Sequence, residues 1–387
     1  MILKSIDYSQ FERTQKAWKL EKCEFGNINL IVGKNATGKS RTLNIIGALA
    51  NLLCGYQKMV FSSGNYKLRF DNKGKKIDYI LRYKDSVIKN EKLNIDSKNR
   101  LNRGIKGEGK IYYSELNKMV KFQTPENELA SVARRDSIQH PFLQDLYDWG
   151  KSVTHYRFGG TLGQDRLVVF YKGKEKEEQK RPDPKDTFSV VVIFRQGQKE
   201  FADKFTEPII QDMNKIGFEI TKIGVLRPEG IKVESNIPIA GGVFGLYVQE
   251  KDLKMKTYQN EMSQGMFRTL SLLIQIRYSQ LTGAPSCILV DDVGEGLDYE
   301  RSSSLISLLV ERAKGTNVQL IMTTNDRFVM NNVPLEYWSV MHRVGGLCKI
   351  YNYENSPRLF DDFALTGLNN FDFFSSYYYL KDEPEEE

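Results

Sequence analysis

The sequence predicts an α/β fold: a mainly parallel sheet, an antiparallel β arm and an inserted mixed α/β lobe. Three observations predict it. A glycine-bounded loop separates the buried-strand pattern Ile28-Asn-Leu-Ile-Val32 from an amphipathic helix starting at Ser40. The last third alternates helix (Met266–Gln280), strand (Cys287–Val290), helix (Glu300–Arg312) and strand (Val318–Met322), the rhythm of β-α units. Residues 60–122 alternate apolar and charged positions, with turns at Ser63-Gly-Asn65 and Asp71-Asn-Lys-Gly74.

The elements follow in order. The first segment reads as strand, turn, strand and then the buried strand; Ser40 to Leu53 repeats apolar residues at helical spacing. Pro125 to Gly150 is helical in pattern. Arg166–Tyr171 and Ser189–Phe194 read as strands around a solvated charge run, Lys172–Lys185, and a helix is expected near Lys199–Ile216. The aromatic run Phe371–Tyr379 packs on the core or docks a partner, and Asp382–Glu387 is an acidic tail.

Bulk properties exclude several classes. The 387 residues are 40% hydrophobic and 27% charged, ordinary for a globular protein. No apolar run approaches the ~18 residues of a membrane span, and Met1–Lys22 lacks a signal peptide's apolar stretch, so no membrane is expected. Cys23, Cys54, Cys287 and Cys348 form no C-x-x-C pair and fit neither zinc nor a disulfide framework, which points to a reducing cytoplasm. His140, His155 and His342 lie at no metal-ligand spacing and read as structural or surface residues.

The loop Gly33-Lys34-Asn35-Ala36-Thr37-Gly38-Lys39-Ser40 matches G-x-x-x-x-G-K-[ST]. Its glycines let successive N–H groups turn toward phosphate oxygens. Lys39 reaches the β/γ-phosphates, the Ser40 hydroxyl ligates Mg2+, and the helix opening there, with Arg41 next, adds its positive end. A chance glycine turn would not sit between a buried strand and an amphipathic helix. Cys287-Ile-Leu-Val-Asp291-Asp292 is a short apolar strand ending in two acids. Asp291 suits the magnesium shell and Asp292 the attacking water, although a strand ending in a solvated acidic turn is common.

With these residues the chain resembles the ABC-ATPase superfamily. Asp291-Asp-Val-Gly-Glu-Gly-Leu-Asp298 follows the family's Walker B and D-loop spacing. Glu261-Met-Ser263-Gln-Gly265-Met-Phe-Arg268 resembles its signature motif, and Thr324-Asn325-Asp326 stands where the family has its switch motif. The opening Gly26–Gly33 is similar to the group containing the structural-maintenance-of-chromosomes (SMC), RecF and OLD (overcoming lysogenization defect) proteins. The resemblance implies an ATPase head with ATP and Mg2+ as cofactors. Ser263 and Gly265 of one copy would close over the phosphate loop of another, with Asp298 at the seam, in a head-to-head homodimer or higher oligomer. Two departures, Asp292 at the catalytic glutamate and Asn325 at the switch histidine, imply slow, switch-like hydrolysis. Gln123 is the candidate for the Q-loop glutamine at the metal; an ordinary exposed glutamine is the competing reading.

The organisation expected is an ATPase core at 1–60 and 255–360, a basic β-rich arm at 61–122, an inserted mixed lobe with lid helices at 123–254 and a tail at 361–387. The insertion lacks coiled-coil heptads, which excludes a chromosome-condensing rod. The roughly 60 residues after Asn325 are too few for the Toprim nuclease of OLD proteins, so an effector (a nuclease or toxin, as in phage-defence modules) would be a separate chain. Residues 65–122 hold 16 Lys/Arg against 7 Asp/Glu, the footprint of nucleic-acid contact or a lysine-solvated sheet surface. The competing functions are a RecF-like DNA-repair ATPase and, less well matched, a transporter subunit.

Overall fold

The computed structural model describes residues 1–59, 62–171, 185–229, 241–283 and 286–381. The acidic tail 382–387 and most of the charge run, 172–184, lie outside them. The chain forms two compact units: one of Met1–Val153, Pro285–Leu289 and Gln319–Glu387, the other of Thr154–Ala284 and Val290–Val318.

In chain order the first unit begins with β1 (Ile2–Gln10), β2 (Trp18–Glu24), β3 (Ile28–Val32) and α1 (Lys39–Leu53). The arm follows as β4 (Ser63–Asn72), β5 (Lys75–Lys84), β6 (Val87–Ile95), β7 (Lys98–Arg103), β8 (Glu108–Tyr113) and β9 (Lys118–Gln123), then α2 (Ala130–Ala133) and α3 (Gln144–Ser152). Next come β10 (Val153–Arg157), β11 (Val168–Tyr171), α4 (Val190–Phe201), α5 (Asp203–Lys215), β12 (Ile220–Leu226), β13 (Gly241–Glu250), β14 (Lys256–Tyr258), α6 (Gln264–Thr282), β15 (Ser286–Asp291) and α7 (Tyr299–Ala313). The chain closes with β16 (Val318–Thr324), α8 (Arg327–Asn332), β17 (Trp338–Val344), β18 (Leu347–Asn352), α9 (Pro357–Ala364) and α10 (Asn370–Ser375).

The first unit is organised by a mixed sheet in the order β15-β16-β3-β17-β18-β2-β1-β4-β5-β6-β7-β8-β9. The parallel part is β16, β3 and β17, with β18 parallel to β2. Every residue of β3 is buried, as a central strand of this kind requires. The antiparallel arm continues the same sheet through the β1–β4 pair. Its alternation buries Tyr66, Leu68, Phe70, Ile77, Tyr79 and Leu81 with the apolar face of α1 in one core. The arm's other Lys and Arg then fall on the opposite face, while Arg103 is buried beside Glu91.

In the second unit β13 pairs with β11, β12 and β14, all antiparallel. One expectation fails here. Residues 189–194 are not a strand but the start of α4: Val190, Val191, Ile193, Phe194 and Gly197 are buried at helical spacing, which outweighs the β-branched run. The helix expected near 199–216 is α5, parted from α4 by a break at Ala202 (φ 47°). The break folds Phe205 back against Gly197, where an added Cβ would lie 2.5 Å from its ring. Pro208 inside α5 has no N–H for the Lys204 carbonyl four residues earlier. Arg277 takes that carbonyl instead, donating from Nη2 at 2.7 Å and Nε at 3.2 Å.

The aromatic run packs onto the first unit. Phe360, Phe363, Phe373 and Tyr378 pack edge-on or tilted with centroids 4.6–5.1 Å apart, and the buried Tyr379 hydroxyl lies 3.3 Å from His342 Nδ1. No described helix is long and apolar enough to cross a membrane.

Candidate functional site

The loop 33–40 leaves β3 and enters α1 through Gly38 in a left-handed turn at φ 114°. A side chain at Gly33 would lie 2.9 Å from the Met341 carbonyl, and one at Gly38 3.1 Å from Trp18, so both positions need glycine's lack of Cβ. Lys39 is buried, and its ammonium donates to the Gly33 and Lys34 carbonyls at 2.9 and 3.1 Å. The loop is thus wrapped around its own cation. Its outer curve is held from β17 and β18: Arg343 donates to the Ala36 carbonyl at 2.8 Å and the Cys348 thiol to that of Thr37 at 3.1 Å. Ala36 sits at φ 62°, a left-handed position that Gly usually fills.

Lys34 and Asn35 are exposed, and Thr37 and Ser40 half-buried. Thr37 Oγ1 donates to the Lys34 carbonyl at 2.9 Å. Lys34 donates to the Tyr377 hydroxyl. Arg41 is committed elsewhere: it bonds Gln10 at 2.9 Å and stacks 4.2 Å from the Trp18 ring. Asn325 is exposed directly after β16, whose Thr324 pairs in parallel with Val32. That register sets Asn325 level with Gly33. Gln123 is not brought there. It ends β9, at the far edge of the sheet from β3, and donates to the Lys106 carbonyl at 3.3 Å. The candidate Q-loop assignment gives way to the exposed-glutamine reading, because the meander carries this strand away from the loop.

The remaining candidates lie in the second unit. Ser263 caps α6, its hydroxyl accepting from Met266 N at 3.2 Å, and its side chain is exposed. Gly265, in the first turn, is packed under the 294–298 loop: a Cβ there would lie 2.8 Å from the Gly296 carbonyl and 2.6 Å from Leu297. Asp291 and Asp292 are half-buried, and Asp292 is left-handed at φ 54°, a conformation Asp tolerates better than Glu. Phe158 N donates to the Asp291 carbonyl at 3.0 Å. Asp298 caps α7, accepting from Arg301 N at 2.9 Å and pairing with its guanidinium at 2.9 Å. These bonds hold its carboxyl below the usual range, the backbone bond first.

Two further residues, given no role at the site from the sequence, lie beside these candidates. Arg268, one turn into α6 from Ser263, is buried and donates to the carbonyls of Gly160 (2.8 Å), Glu295 (3.0 Å) and Gly159 (3.2 Å). It ties the start of α6 to the loop after Asp292. The signal for it was a charge in an otherwise apolar helical stretch. His155, on β10, is pushed down to about 4 by burial and by Arg157, against the pull of Asp291, and is neutral at pH 7.

The loop fits a phosphate chain: glycines at close approaches, a buried lysine and a helix N-terminus. Among the described residues no group of three or more His, Cys, Asp and Glu could hold a metal by itself.

No protein-family model matches the chain, and a search of curated proteins finds no match. Solved structures do resemble it. An SMC head bound to the C-terminal winged-helix domain of ScpA superimposes with a TM-score of 0.51 at 12% identity, covering 90% of this chain and 97% of that one. The SMC head domain from Thermotoga maritima gives 0.45 at 16% identity (90% and 98% covered). An Smc head with an extended coiled coil, bound to the C-terminal domain of ScpA derived from Pyrococcus furiosus, gives 0.49 at 11% (94% and 99% covered). At such identities the first of these speaks for fold alone: the chain has an α/β fold like that of an SMC head, with a large mixed sheet.

Proposed function

We propose that this chain binds ATP with Mg2+ at the loop 33–40, hydrolyses it slowly, and pairs head to head with a second copy. The observation that carries the reading is the loop itself, wrapped on Lys39 between β3 and α1, with Asn325 set level with Gly33. Lys39 would pair the β/γ-phosphates, and the Ser40 hydroxyl with the Asp291 carboxylate would hold the metal. Magnesium, when bound, neutralises charge on the phosphate oxygens. Asp292 would orient the attacking water, and the exposed Ser263 with Gly265 of one copy would face the γ-phosphate held by the other, with Asp298 at the seam. In this reading the paired heads act as a cytoplasmic switch or scaffold in antiviral defence, controlling a separate nuclease or toxin.

Calorimetry and sedimentation test the core of the proposal. Lys39→Ala should abolish Mg-ATP binding. Ser263→Arg should keep binding by one protomer but stop pairing with a non-hydrolysable analogue. Unchanged affinity in the first, or normal pairing in the second, would refute the corresponding half. Purification with co-expressed genomic neighbours tests the effector: no ATP-responsive partner would remove it.

A second reading, direct contact with nucleic acid, is favoured by the arm. Lys67, Ile80, Lys92, Asn102, Lys110 and Lys121 stand opposite one another across β4 to β9 and share one face. None of these four lysines has an acidic partner among the described residues. At ~4.8 Å between strands, the row is about 24 Å long, enough to follow several phosphates. Lys92→Glu with Lys110→Glu should weaken duplex binding and flatten its salt dependence; a filter-binding assay showing no change would leave the row as a solvated surface.

A further inference from the structure

We propose that Tyr377 is a latch on the phosphate loop: it holds Lys34 until nucleotide draws that ammonium away, releasing the C-terminal segment. The inference rests on the ATP reading above.

Lys34 is the second residue of the loop. Its ammonium donates to the Tyr377 hydroxyl and stands 4.7 Å from the centroid of the same ring. The contact spans 343 residues of sequence, so it is made by the fold and not by local chain geometry. Tyr377 is at φ 59°, a left-handed conformation rarely taken by a bulky side chain. Such a residue persists only where its surroundings over-determine it. Here they do: Tyr378 packs on Phe363 at 5.1 Å, and buried Tyr379 reaches His342. The turn is anchored from behind while Tyr377, 40% exposed, is presented to the loop.

The chemistry gives the latch a direction. A neutral phenol offers Lys34 one hydrogen bond and a ring quadrupole, whereas a triphosphate offers full negative charge at short range. Binding of the anion at 33–40 therefore competes for Lys34. Once it leaves, one of the contacts that hold Tyr377 left-handed is gone, and the turn at 378–380 keeps its anchors behind but loses its tie to the loop. By linkage, whatever the Tyr377 contact adds to the nucleotide-free protein is subtracted from ATP affinity.

The test uses the full chain with a non-hydrolysable ATP analogue and Mg2+. Calorimetry would compare wild type, Tyr377→Ala, Tyr377→Gly, Lys34→Met and the Lys34→Met/Tyr377→Ala double variant. Both Tyr377 variants should bind about 2- to 5-fold more tightly, the range of an exposed cation–π contact. In the Lys34→Met background the Tyr377 change should do nothing. Hydrogen exchange at 376–381 should rise with analogue in wild type and not in Lys34→Met. Tyr377→Gly removes the backbone strain, so loss of fold cannot account for a failure. Unchanged binding in both Tyr377 variants overturns the latch. So does weaker binding, which would make Tyr377 a nucleotide contact, and so does an effect that survives in Lys34→Met. A wild-type chain that binds no Mg-ATP sinks the ATP reading and the latch with it, whereas normal binding with inert Tyr377 variants sinks the latch alone.

Discussion

Gly265→Ala is the most direct probe of how the first turn of α6 is built. The new methyl would sit 2.8 Å from the Gly296 carbonyl and 2.6 Å from the Leu297 side-chain tip, where ordinary contact begins near 3.4 Å. Leucine's end can rotate, but the carbonyl belongs to backbone that Arg268 holds through Glu295, so the 294–298 loop must move by roughly half an ångström. Overpacking of this kind costs about 1–3 kcal/mol. Alanine returns up to about 1 kcal/mol through helix propensity and a less flexible unfolded chain. The net expectation is a loss of about 1–2 kcal/mol, read as a lower urea midpoint, together with weaker ATP-driven pairing by sedimentation. A variant as stable as wild type, or more so, that pairs normally would show that the loop has slack and that Gly265 is not there for close approach.

Two further outcomes follow from the same geometry. Asp292→Asn keeps a residue that tolerates φ 54°, so ATP binding should survive while turnover falls at least ~100-fold; turnover at the wild-type rate would pass the role to another acid, Glu295 first. Arg268→Met leaves three backbone carbonyls without a donor and should cost about 2–4 kcal/mol in urea denaturation. A loss under 1 kcal/mol would mean that water replaces the guanidinium.

Much of the candidate site was legible because it is local. The loop 33–40 is one stretch of chain, so Gly33, Gly38 and Lys39 could be placed by spacing alone, and the strand and helix around it by periodicity. The α6-β15-α7-β16 alternation was legible for the same reason. What the sequence hid depends on distant partners. The run Ser189–Phe194 reads as strand until its buried positions fall at helical spacing. Gln123 looked plausible as a metal ligand only while the path of β4 to β9 was unknown. Tyr377 gave no sign of its contact with Lys34, since no local pattern records a meeting 343 residues apart.

The buried Glu91 of β6 bears on how the arm is made. Its carboxylate accepts from Ala130 N at 2.7 Å, Ser131 N at 3.0 Å and the Tyr79 hydroxyl at 2.9 Å, with Arg103 3.8 Å away. Slipping β6 by one residue would turn this charge to solvent and drive Lys92 into the core, so one register alone is tolerable. Two of its three donors come 39 and 40 residues later in the chain. On the ribosome the meander, Arg103 included, would therefore emerge before the two N–H groups that bond its buried carboxylate, and its register stays unpinned until residues 130 and 131 arrive. A nascent chain halted just short of Ala130 should hold its strands in exchange among registers, and one halted after α3 should hold them fixed.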